Sequence, residues 1–154
     1  MVYTGQVKPI NKIVVAGDPL VQELKVENAT NMYPGRLVKK GTADDDIVVG
    51  TNTVGNDTVG WLGYEQTAPS MRPDTVDTIY EVNAQAAVLS GGGFIIVGRL
   101  NESQTITKGE SLTSAAAGML TTSDVTAENV VAVAEESVTT AGGAYADIMV
   151  RSVI

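Results

Sequence analysis

The 154-residue sequence contains no cysteine and no histidine. Without cysteine there is no disulfide, thiolate nucleophile, iron–sulfur cluster or cysteine zinc site. Without histidine, imidazole is missing as general base, proton shuttle and metal ligand, so most hydrolase triads and nearly all zinc chemistry are excluded. Positive charge is also scarce: ten Lys and Arg stand against eighteen Asp and Glu, for a net charge of −8. Only Lys39 and Lys40 are adjacent, and scattered cations do not displace the counterions of a nucleic acid or hold an anionic membrane. Long apolar runs are missing too. The apolar runs are short stretches such as Phe94–Val97, far below the length of a membrane-crossing helix. Residues Met1–Gln6 have neither the basic nor the apolar region of a secretory signal. Expected, therefore, is a non-enzymatic protein with no cofactor, no metal, no nucleic acid and no membrane partner.

What is abundant is β-branched. The chain holds 22 Val and 17 Thr, with 16 Gly and 16 Ala. Such residues are stiff at χ1 and fit a pleated surface, while glycine marks turns. Strand-like runs recur about every ten residues. They are 13–15, 20–26, 36–38, 47–49, 60–64, 76–82, 86–89, 94–97, 111–113, 119–121, 130–134 and 144–153. The last alternates, with Ala146, Ile148 and Val150 opposite Asp147, Met149 and Arg151. Few aromatics leave a core of Val, Ile, Leu and Ala. The expectation is all-β: a small β-barrel or sandwich with an extended N-terminal arm and at most one short helix, Ser123–Asp124 capping 125–129.

Residues 1–30 read as the arm, because apolar points alternate there with Gly5, Pro9, Asn11, Gly17 and Pro19. Such an arm packs on its own domain or pairs with a neighbour's sheet edge. Residues 31–154 then form the β domain, with two related halves, about 31–85 and 86–154, as one reading. An internal echo supports it. Pro34-Gly35-Arg36-Leu37-Val38 opens a segment closed by Trp61–Thr67, and Lys108-Gly109-Glu110-Ser111-Leu112 opens one closed by Val131–Ser137. Both closing strands end in Glu-[Gln/Glu]-[Thr/Ser]; duplication and convergent turn chemistry both account for this.

The motifs that invite chemistry fall short of it. Gly91-Gly92-Gly93 precedes Phe94-Ile95-Ile96-Val97, a strand and not the helix of a phosphate loop; a hairpin turn is expected there, and another at Gly142-Gly143. Asp44-Asp45-Asp46 lacks the Gly and Glu spacing of a calcium loop and reads as solvated. Glu135 and Glu136, adjacent on a strand, point to opposite faces and cannot act as an acid/base pair.

The stretch Ala86–Leu89, Gly98-Arg99-Leu100, Ile106–Leu112, Gly118-Met119-Leu120, Val131–Ser137, Gly142–Ala144 and Ile148–Arg151 resembles the capsid decoration (cement) proteins of tailed viruses. That resemblance implies a small, typically trimeric β-barrel subunit, made in the host cytoplasm. It sits on the outer surface of the virion's icosahedral head and stabilises it by clamping neighbouring subunits of the major capsid protein. The implied capsid-binding arm is Val2, Tyr3, Val7, Ile10, Ile13, Val14 and Val15, with Trp61 and Tyr64 as further surface contacts. A second reading is a carbohydrate- or receptor-binding β-module of a virion spike, which requires exposed aromatics such as Trp61, Tyr64 and Tyr80. A third, resembling the trimeric nucleotide hydrolases, lacks their Asp- and Gly-rich motifs.

Overall fold

The computed structural model describes residues 13–50, 58–64, 75–123 and 129–154. Thirteen strands carry the fold among them: β1 (Val14–Ala16), β2 (Leu20–Val26), β3 (Leu37–Lys40), β4 (Asp46–Val49), β5 (Thr58–Leu62), β6 (Gln85–Ser90), β7 (Ile95–Leu100), β8 (Thr105–Ile106), β9 (Ser111–Ser114), β10 (Leu120–Thr122), β11 (Ala132–Ala134), β12 (Val138–Thr139) and β13 (Ala146–Ser152). One 3₁₀ turn, Ala116–Gly118, precedes β10. The fold is all-β. The helix expected at 125–129 falls largely on residues outside the described ones. The run 76–82 is turns and not a strand. There Tyr80 is buried, its backbone N–H donates to the Met32 carbonyl and its hydroxyl donates to the Gly63 carbonyl, so the segment plugs a barrel end.

Strands β2-β4-β3-β5-β6 close into a barrel. The second half runs β7-β10-β9-β11-β13, with a further β7–β13 pairing that closes it in the same way. Both circuits join their first, third, second, fourth and fifth strands in turn. In both, the first and third strands are parallel and every other pair is antiparallel. The registers correspond residue by residue. Leu24 faces Ala86 as Gly98 faces Ile148, and Val26 faces Ile47 as Leu100 faces Leu120. Val38 faces Val49 as Leu112 faces Thr122, and Leu62 faces Val88 as Ala134 faces Val150. The turns agree as well. The Gly35 N–H donates to the Leu62 carbonyl and the Gly109 N–H to the Ala134 carbonyl, both glycines at positive φ (85° and 92°). The echo is therefore architectural: one five-stranded barrel occurs twice. Its opening motifs align as the sequence suggests. Its closing strands align two residues out of step with the Glu-[Gln/Glu]-[Thr/Ser] match, because Leu62, and not Tyr64, stands where Ala134 does.

Two segments belong elsewhere than expected. The sequence pattern groups residues 20–26 with the arm, yet β2 is a barrel strand paired with β6 from Leu20 to Lys25. Gly91–Gly93 is not a hairpin turn. It crosses from one barrel to the other, since β6 and β7 do not pair, and all three glycines hold positive φ. Gly142-Gly143 likewise leads from β12, which pairs with β8, into β13, which pairs with β7 and β11.

One apolar cluster fills the first barrel, with Leu24, Val26, Met32, Val38, Ile47, Leu62, Tyr80 and Val88. The other fills the second barrel and the seam between them, joining Leu100, Leu112, Leu120, Ile148 and Val150 to Leu37, Trp61, Leu89 and Phe94. The row Leu37, Trp61, Leu89 runs across β3, β5 and β6 on the outside of the first barrel, and all three are buried. Its counterpart on the second barrel is Ser111, Val133, Arg151, with both ends exposed. The same surface row is apolar where the other copy covers it and polar where water does.

Candidate functional site

The candidate contact residues separate into three groups. Val2, Tyr3, Val7 and Ile10 lie outside the described residues. Ile13, Val14 and Val15 belong to the body: Ile13 is 3% exposed, its carbonyl accepts from the Val97 N–H at 2.8 Å, and Val14 pairs with Ile96. They extend the second barrel's sheet instead of reaching outward. Trp61 and Tyr64 are not surface contacts, being 0% and 6% exposed. With one tryptophan and one phenylalanine in the chain, the seam takes the largest apolar side chains available. Trp61 Nε1 donates to Ser152 Oγ at 2.9 Å, and Ser152 Oγ donates to the Ile154 carbonyl.

The acidic candidates are mostly engaged in charge pairs. Asp46 meets Lys25 at 2.8 Å and Asp44 meets Lys40 at 3.0 Å. The Lys25 ammonium holds the Asp46 carboxyl below its ordinary value. Asp46 raises Lys25 in turn, through the same hydrogen bond and charge. Glu135 sits between Lys108 and Arg151, while Glu136 accepts from the Met149 N–H. Among the described residues no three acidic side chains gather as a metal site would need.

Two surface features stand out. A cleft of about 380 Å³ between the barrels is lined by Tyr33, Arg36, Asp77, Arg99 and Asp147. Arg36 lies over the Tyr33 ring, 5.3 Å from its centroid, and donates to the Ala117 carbonyl. Burial, and then the nearby Arg99 guanidinium, lower its pKa. Arg99 is paired with Asp147 at 2.7 Å, so the cleft's charges are largely answered within it.

The second feature is an edge. Among the described residues the start of β2 is flanked by β6 alone, because β4 joins only at Lys25 and Val26. Leu20 and Val21 are 70% and 41% exposed. Beside them lies a hollow of about 230 Å³, part polar and part apolar, lined by Val14, Asp18, Pro19, Val21, Tyr64 and Leu89. The sequence pattern predicts 20–26 as a strand-like run. It has no signal for a missing neighbour, because pairing partners are chosen by the whole sheet.

No family model and no curated protein matches this sequence. Among solved structures, the chain is similar to the head fiber gp8.5 N base in bacteriophage phi29, with a TM-score of 0.50 and 14% identity, over 86% of this chain and 92% of that one. At that identity the likeness is one of fold, and it spans more of the chain than either barrel alone.

Proposed function

We propose that this protein is a structural component of a tailed-phage virion that binds the outside of the head and stabilises it by bridging neighbouring subunits of the major capsid protein. The observation that carries the reading is the two-barrel likeness to a phage head fiber base across most of both chains. Composition supports it: a chain with no His and no Cys serves as strands, turns and an inert surface, and no catalytic role is assigned to it. A charge of −8 suits a position outside the shell, where acidity favours solubility and discourages contact with nucleic acid. Assembly as a homotrimer would let three modest shell contacts act together through effective concentration. Binding only the assembled shell would stabilise it by mass action. The spike-module alternative loses its main support, since Trp61, Tyr64 and Tyr80 are buried and offer no aromatic platform to a sugar ring.

The test is sedimentation of the purified protein with expanded, undecorated heads. Saturable co-sedimentation, and heads that resist heat or chelator longer when loaded, are the expected results. Absence of saturable binding at tens of micromolar protein would sink the proposal, and glycan-array binding would favour the spike module.

A further inference from the structure

The two barrels correspond strand for strand. In the second barrel, the start of β7 would be an open edge, because β10 joins β7 only at Leu100. That edge is filled by β1, which pairs antiparallel with Ile95 and Ile96, and the Ile13 carbonyl takes the Val97 N–H. The equivalent residues of the first barrel are Val21, Gln22 and Glu23, since Val21 faces Leu89 as Ile95 faces Arg151, and Glu23 faces Ala87 as Val97 faces Met149. There no described residue takes the place of β1. Val26 exchanges hydrogen bonds with the β6 side and Lys25 donates to the Asp45 carbonyl on the other side. By strand alternation the N–H and C=O groups of Val21 and Glu23 therefore point away from β6. Among the described residues nothing pairs with them. A strand edge with open amides and an adjoining side-chain hollow is a receptor for an added strand.

We propose that this edge receives residues 1–12 of a second copy of the chain, added antiparallel to Val21–Glu23 as β1 is added to β7. Two properties favour that occupant. Residues 1–12 continue directly from the segment that fills the equivalent edge, and they offer Val2, Tyr3 and Thr4 as strand formers, with Tyr3 of a size to enter the hollow. They also carry Lys8 and Lys12 and no acidic residue, whereas the rest of the chain holds all eighteen acids, with Asp18 and Glu23 exposed beside the edge. A basic arm on an acidic body is complementary in charge. Passed from each copy to the next, such a head-to-tail contact closes into a ring when the rotation allows. The arm would then join copy to copy and leave shell contact to the barrels. This inference stands apart from the capsid reading and holds whatever the barrels bind.

The test is light scattering on the full-length chain across a range of concentrations. The wild type should be oligomeric at tens of micromolar. Glu23→Pro removes the outward N–H without touching the β2–β6 ladder and should be monomeric, with a far-UV spectrum like wild type. Glu23→Ala, which keeps the N–H, should stay oligomeric. Excess synthetic peptide 1–12 should dissolve the wild-type oligomer, which tests the edge even if the proline variant misfolds. A monomeric wild type at 100 micromolar overturns the proposal, including the case where its own arm protects the Glu23 amide from exchange. So does an oligomer unmoved by both peptide and Glu23→Pro. An oligomeric Glu23→Pro that no longer sediments with heads would assign the edge to a shell strand instead, whereas heads bound by neither form would count against the capsid reading alone.

Discussion

The bond from Trp61 to Ser152 ties the fourth strand of one barrel to the last strand of the other, and its removal tests whether the two barrels act as one body. In Ser152→Ala the buried indole N–H loses its acceptor, while the Ile154 carbonyl keeps the Gly92 N–H at 2.9 Å. One buried donor is thus orphaned, at about 1–3 kcal/mol. For a chain of this size a loss of about 2 kcal/mol lowers Tm by roughly 4–8 °C. Trp61→Phe removes the donor and leaves a smaller ring in a fully buried site, which costs about 2–3 kcal/mol from the lost bond and the unfilled volume together. Once the indole is gone, Ser152→Ala orphans nothing. The double variant should therefore match Trp61→Phe within about 0.5 kcal/mol, a coupling the size of the Ser152→Ala cost, about 1–3 kcal/mol. Urea unfolding followed by far-UV circular dichroism measures all three variants. In wild type and Ser152→Ala, emission from the single tryptophan reports the seam separately. Additive single-variant costs would refute the bond's role. An emission transition well separated from the circular dichroism transition would refute the shared core.

Three further outcomes are expected. A Cβ at Gly98 would lie 2.8 Å from a Leu120 methyl and 3.2 Å from the Trp61 ring, so Gly98→Ala should cost about 1–3 kcal/mol in urea unfolding; no loss would show that the seam has slack. Removal of residues 1–12 takes away only the proposed contact between copies, whereas removal of 1–16 also deletes buried Ile13, worth about 1.5–3 kcal/mol, so the longer truncation should melt lower; equal Tm for the two truncations would contradict the packing of β1. The Asp46–Lys25 pair sets a pH window. Asp46, held below its ordinary 3.8, contributes stability above that value that is lost as pH falls through its folded-state value. Lys25, raised above 10.5, contributes stability that is lost only as pH rises through its raised value. Asp46→Asn should flatten the acid limb of stability against pH, and an unchanged limb would remove the pair from the account.

The strand pattern was legible because period-two alternation and glycine turns are local properties. All but one of the runs expected as strands overlap observed strands. The exception, 76–82, contains Tyr80, whose hydroxyl and N–H are satisfied across the barrel end, a tertiary demand that outweighs the β propensity of Val76 and Ile79. The role of Trp61 was not legible. An aromatic beside a turn has the same sequence signature whether it faces a ligand or a sister barrel. The echo could be read at Gly35 and Gly109, where positive φ demands the same residue twice, and misled by two residues at the closing strands, where nothing local marks the register.

By itself, the sequence determined the class of fold, the turns, the acidity and the chemistry that is out of reach, because these follow from composition and near-neighbour geometry. Only the tertiary structure decided that one barrel occurs twice with matching registers. It alone decided that the row Leu37, Trp61, Leu89 faces its sister while Ser111 and Arg151 face water, and that β1 fills one strand edge while, among the described residues, its twin on β2 has no such partner. Strand pairing and inter-barrel packing join residues distant along the chain, and no local pattern encodes which surface another surface will cover.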